Sequence, residues 1–137
     1  MTIKLSHFIS GSVSVAALVQ LVPLAAAFQP AWLVDLYGVA PSDATLILLL
    51  RHRAVLLGLV GAILLAGVLW RALLGPALAV GLVSKLSYLL LYAISETSPA
   101  TARVARVDAF TAALLLAVVG VLGVLNVLKA STRRRLA

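Results

Sequence analysis

Apolar residues dominate four stretches of this chain, about 5–28, 44–70, 76–95 and 104–128, each bounded by short polar or proline-containing punctuation. A helix rising 1.5 Å per residue needs roughly 20 residues to cross about 30 Å of hydrocarbon, and every stretch reaches that length. The pattern predicts an all-α fold, an integral membrane antiparallel four-helix bundle forming a single domain over residues 1–137. Gln29-Pro30 closes the first span, Gly75-Pro76 turns the second into the third, and Ser98-Pro99 separates the third from the fourth. Proline just inside a helix start marks such boundaries, and helices joined by brief turns are expected to be antiparallel neighbours. The first connection, about 29–43, is longer. Its Trp32, Leu33, Leu36 and Tyr37 predict a short helix or reentrant turn at the membrane interface, with Ser42 or Asp43 capping the second span. Ala25-Ala26-Ala27 looks like a signal cleavage pattern, but the apolar run before it is long for a signal core and is read as a span.

Polar residues inside the spans then carry the information. Arg51-His52-Arg53 lies more than one turn inside the second span, where an arginine costs at least about 2.5–3.5 kcal/mol unless it meets a partner or water. Around a helix Arg51 and Arg53 point about 200° apart, so which of them faces the bundle is left open. On the third span Gly81, Lys85, Tyr88, Tyr92 and Glu96 follow spacings of four and three and form one stripe. Lys85 is too deep for easy snorkelling, so it is either neutral or faces a carboxylate or a cavity. Asp108, Thr111 and Asn126 share a side of the fourth span. Ser6, Ser10, Ala17 and Gln20 form a mildly polar stripe on the first, above which Pro23 introduces a kink. Packed antiparallel, Gln20, Arg51 to Arg53, Tyr92, Glu96 and Asp108 converge on one end, with Lys85 and Tyr88 deeper. Arg51 or Arg53 is the expected partner of Asp108 or Glu96.

Composition narrows the class. The chain has 137 residues, 64% of them hydrophobic and 11% charged, with a mean hydropathy of +1.18, values beyond the reach of a soluble domain. There is no room for a catalytic head outside the spans, so any chemistry sits within the bundle. The absence of cysteine excludes thiolate nucleophiles and disulfides. Two histidines, His7 and His52, make no metal or haem pattern, and no cofactor is expected. Lys4, Arg71, Lys129 and Arg133 to Arg135 fall on one side, which the positive-inside tendency makes cytoplasmic, with both termini inside a bacterial inner membrane. All four acids gather toward the other side. Residues 129–137 form a basic cytoplasmic tail suited to anionic headgroups, and nucleic acid is not an expected partner.

The stretch Leu50-Arg51-His52-Arg53-Ala54-Val55-Leu56-Leu57-Gly58, followed by Gly61-Ala62 and later by Arg106-Val107-Asp108, resembles small uncharacterised four-span bacterial membrane proteins of DoxX-like architecture. The resemblance implies a fold and no activity. No phosphate-cradling glycine loop is present.

The expected function is a membrane-embedded binding site for a small lipophilic molecule, in a polar cup at the outer third of the bundle. If it is an enzyme, an acid-base isomerase, cyclase or hydrolase, Asp108 or Glu96 serves as acid or base with His52 as partner. Arg51, Arg53, Lys85, Tyr88, Tyr92 and Gln20 then bind the ligand or stabilise charge. A second reading makes the chain a non-enzymatic scaffold subunit with structural ion pairs, docking a partner or another copy through Gly58, Gly61 and Ala62. A transporter or channel ranks third, because the inner half offers little polar lining.

Overall fold

A computed structural model of the chain describes residues 2–29, 31–37, 44–95 and 99–135. All regular structure in these residues is helical: α1 (Thr2–Leu21), α2 (Leu24–Phe28), α3 (Ala31–Tyr37), α4 (Ala44–Leu69), α5 (Leu74–Ile94) and α6 (Pro99–Arg135), with a 3-10 turn over Arg71–Leu73. Four segments are long and apolar enough to cross a membrane: Lys4–Phe28, Ala44–Leu69, Arg71–Ile94 and Thr101–Thr132. The first is α1 and α2 in series. Pro23 has no N–H to donate, and its ring crowds the carbonyl four residues back. The helix therefore breaks over Val22-Pro23 and restarts, with the Ala26 amide donating to the Pro23 carbonyl at 2.9 Å.

Two boundaries differ from the sequence expectation. The turn between the second and third spans lies at Trp70–Leu73, not at Gly75-Pro76. Trp70 is extended (φ −114°, ψ 101°) and Leu74 opens α5. Gly75 and Pro76 occupy the first turn of α5, where amides have no intrahelical acceptor and a missing N–H is harmless. The fourth helix begins at Pro99 rather than near 104, with proline at its first position, and runs unbroken through the basic segment to Arg135. Its 37 residues span about 55 Å, well beyond the hydrocarbon thickness. The basic tail thus continues a helix as far as residue 135. The connection after the first span does contain a short helix, α3, whose Leu33 is fully buried. Ser42 and Asp43, the expected caps, lie outside the described residues.

The four long helices close a ring, α1 against α4, α4 against α5, α5 against α6 and α6 against α1. Ile9, Val13, Ala16, Ala17, Leu64, Leu78, Leu115 and Val118 fill the middle. A smaller cluster of Ala26, Ala27, Leu33 and Ala54 lies under α3. Large apolar side chains such as Leu48, Leu59, Val83, Leu90, Phe110 and Val127 cover the outside, as expected where the surroundings are lipid rather than water. At the end opposite the Pro23 break, Arg71 donates to the Ser6 and Ser10 hydroxyls at 3.0 and 3.1 Å, tying the 3-10 turn to the i,i+4 serine pair of α1.

Lipid tails are as apolar as leucine, so helices in a membrane hold together by close packing, for which small residues are needed. Gly58 faces Leu24 of α2, and Gly61 faces α1, where an added Cβ would stand 2.8 Å from the Ala17 carbonyl oxygen and 3.2 Å from Gln20 Cβ. Both glycines are buried within the chain while Ala62 is exposed, so the surface expected to dock a second copy is largely covered by α1 and α2. The Gly61→Ala variant is expected to be destabilised by about 1–3 kcal/mol, since a backbone atom must give way. Gly120→Ala, with open space around it, should match or exceed wild type, alanine being the better helix former. Unfolding of the purified variants in detergent measures both. Equal stability of the two would contradict the close contact.

Candidate functional site

Four helices each bring one polar residue to the same level. Gln20 lies eight residues before the end of α2, Arg53 nine after the start of α4, Lys85 nine before the end of α5 and Asp108 nine after the start of α6. At 1.5 Å per residue that is about 12–14 Å in from the helix ends. Lys85, Asp108 and Gln20 are 2%, 6% and 1% exposed. The Lys85 ammonium donates to the Asp108 carboxylate, forming an ion pair between α5 and α6. It also donates to Oε1 of Gln20 at 2.8 Å, which adds α1 to the cluster.

This arrangement fixes the Gln20 amide. An ammonium has only donors, so it must face the oxygen of the amide, which leaves the NH₂ on the other side. That group, Nε2, is buried and has no hydrogen-bond partner among the described residues. An unmet buried donor costs about 1–3 kcal/mol and calls for an explanation. The neighbouring Thr111 hydroxyl turns back onto its own helix, within 2.9 Å of the Val107 carbonyl and 3.1 Å of the Asp108 carbonyl.

Beside the cluster lies a cavity of about 230 Å³. Gln20, Lys85 and Asp108 border it together with Arg53 and Arg103, and the remaining wall is apolar: Val19, Val22, Pro23, Leu36, Leu57, Val104 and Val107. Five helical elements contribute to the lining. Arg53 is half-buried, its guanidinium carbon 4.6 Å from the centre of the Tyr88 ring, a cation–π distance. Tyr88 in turn reaches the Thr101 carbonyl with its hydroxyl at 3.4 Å and leans on Tyr92, ring centres 6.5 Å apart and tilted by 31°.

The arginine question left open by the sequence is thus resolved. Arg53 lines the cavity, while Arg51 is exposed and donates from Nε to the Ala27 carbonyl at 2.6 Å, meeting the C-terminal end of α2. Such a cation satisfies carbonyls that the helix end leaves without partners. His52 is exposed and is not part of the cavity wall. The expected arginine partner for Asp108 is replaced by Lys85. Glu96 lies outside the described residues. Tyr88 and Tyr92 support Arg53 without lining the cavity themselves.

Val19, Val22, Leu57, Arg103, Val104 and Val107 also line the wall, and none of them was expected there from the sequence. Val104 and Asp108 are four residues apart and so share a face of the fourth span, a spacing legible in the sequence. Among the described residues no group of three histidine, aspartate or glutamate side chains is placed to hold a metal ion. Comparison with protein-family profiles, with curated proteins and with solved structures returns no match to this chain.

Proposed function

We propose that this protein is a membrane-embedded receptor site for a small lipophilic molecule, seated in the cavity between α1, α3, α4, α5 and α6. The observation that carries this reading is the juxtaposition of an apolar cavity of about 230 Å³ with a buried amide donor that has no partner among the described residues. Ligand sites typically combine an apolar wall with a few convergent polar groups. The volume falls below the roughly 300–1,000 Å³ of drug-sized pockets, which suits a small molecule or one end of a longer one. Binding is favoured over acid-base catalysis because the one described carboxylate of the wall, Asp108, is already engaged by Lys85. Native mass spectrometry of the full chain tests the reading. One lipophilic small molecule bound per chain is expected, and bare chain alone contradicts it.

A second reading, a non-enzymatic scaffold, draws on the way Lys85 joins α1, α5 and α6 through Gln20 and Asp108. A buried pair of this kind can serve packing alone. It leaves the Gln20 donor unexplained.

The proposed topology is an antiparallel bundle in a bacterial inner membrane, with both termini cytoplasmic and the cavity toward the outer face. Lys4, Arg71, Lys129 and Arg133 to Arg135 support it by the positive-inside tendency. The natural chain has no cysteine, so single cysteines report cleanly. Ser95→Cys is expected to react with a membrane-impermeant thiol reagent on intact cells, and Ser131→Cys only after permeabilisation. The reverse pattern would invert the orientation.

A further inference from the structure

Resting on the lipophilic-site reading, we infer that the molecule held in this cavity is neutral and carries a carbonyl oxygen, a ketone, ester or amide on a hydrocarbon body, which accepts the hydrogen bond that Gln20 Nε2 has to give. Other polar groups at this depth already have partners. Lys85 is paired with Asp108, and its second bond, to Oε1 of Gln20 at 2.8 Å, takes up the acceptor end of the amide. The Thr111 hydroxyl is turned to the carbonyls of its own helix. What remains is Nε2, buried and without a hydrogen-bond partner among the described residues, on a side chain that borders the cavity. An amide NH₂ has only donors, so its complement is an acceptor.

The surroundings select among acceptors. A pure hydrocarbon would leave the donor unmet, because neither the apolar wall nor lipid tails supply an acceptor. A hydroxyl would accept but would bring a proton of its own, while Gln20 Oε1 and Asp108 Oδ1 already hold the Lys85 ammonium. A carboxylate or phosphate would have to shed its hydration to reach this level, and the ammonium there is neutralised by Asp108. Arg53 has partners of its own, the Tyr88 ring among them, and Arg103 is exposed, so the head is matched by the amide rather than by charge. A carbonyl oxygen accepts without donating and carries no net charge. It also projects alone from its carbon, which suits an amide on a residue only 1% exposed. The hydrocarbon body lies against Val19, Val22, Leu57, Val104 and Val107, and no bond is made or broken. The Lys85–Asp108 pair is the support that turns the amide so that its donor faces away from Lys85.

The test uses the full chain in nanodiscs of zwitterionic lipid with two probes of nearly equal shape, 2-nonanone and 2-methyl-1-nonene, in which a CH₂ group replaces the oxygen. Nonanoate serves as the charged counterpart, and each affinity is referred to the probe's partition into empty nanodiscs. The ketone is expected to bind at least about fivefold more tightly than the alkene, a difference of about 1 kcal/mol. Gln20→Met removes the donor and keeps the side-chain length. In that variant the preference should disappear while the alkene binds as it does to wild type. Infrared spectra supply a second readout: the carbonyl stretch of the bound ketone should lie at lower wavenumber than in empty nanodiscs, as a hydrogen-bonded carbonyl does, and should return in Gln20→Met.

Saturable binding of ketone and alkene with equal affinity, an unshifted carbonyl stretch, or a ketone preference that survives in Gln20→Met overturns the carbonyl assignment and leaves the lipophilic site standing. Nonanoate binding as tightly as the ketone overturns the neutral head. Absence of saturable binding by every probe overturns both the carbonyl assignment and the site itself. Should Gln20→Met fail to fold, the ketone-to-alkene ratio and the carbonyl stretch in wild type still decide.

Discussion

Lys85→Met is expected to cost this protein about 3–5 kcal/mol of stability, because it leaves the Asp108 carboxylate buried without its cation. Asp108 is 6% exposed and Lys85 is its one described cationic contact within salt-bridge distance. Hydrocarbon around the bundle makes an uncompensated charge harder still to tolerate. The double variant Lys85→Met with Asp108→Leu removes both charges and is expected to return close to wild-type stability, since replacing a buried pair by apolar side chains is often neutral or stabilising. The large coupling between the two substitutions is the measurable quantity, read from unfolding of purified protein in detergent. Should the single variant fail to fold, recovery in the double variant still reports the pair. Single variants within about 0.5 kcal/mol of wild type would show that the two groups are hydrated rather than paired. The double variant also separates packing from function. It keeps the fold but removes the ammonium that orients Gln20, so ligand binding should fall while stability does not. Unimpaired binding there would assign the pair to packing alone.

The second large effect concerns the cavity itself. Leu57 stands one helical turn after Arg53 on the same face of α4 and borders the apolar part of the cavity. Leu57→Trp is expected to fill that space with an indole and to lower ligand binding by at least about tenfold. Stability should hold or rise, because the substitution occupies a void rather than a packed core. A Leu57→Trp protein that unfolds would show the region to be already close-packed.

The sequence made the spans legible because hydrophobic length alone specifies them. The expected 44–70 and the observed Ala44–Leu69 differ by one residue at one end. The ends marked by proline were harder. Gly75-Pro76 serves equally well as a turn or as the first turn of a helix, and only packing of Gly67 against Ala77 requires the chain to have turned earlier. The start of α6 mattered more. Five additional residues before Val104 lengthen that helix by about 7.5 Å, which moves Asp108 inward from the rim to the level of Lys85. An Asp108 at the rim reads as an arginine partner, and at depth it reads as a lysine partner. Periodicity placed Lys85 on the same stripe as Tyr88, and its depth left it either neutral or facing a carboxylate or a cavity. In the structure it faces both. Which of Arg51 and Arg53 turns inward depends on the rotation of α4 about its axis, set by Gly58 against Leu24 and Gly61 against Ala17, contacts between segments far apart in sequence. The Nε2 of Gln20, unpartnered among the described residues, had no sequence signal at all, since it arises from how three helices meet.

Native mass spectrometry of wild type and Leu57→Trp, purified side by side from the same membranes, tests the central claim most directly. The claim requires a single small lipophilic adduct on the wild-type chain that is absent from the variant. A wild-type chain without an adduct, or an adduct retained equally by both, would contradict it.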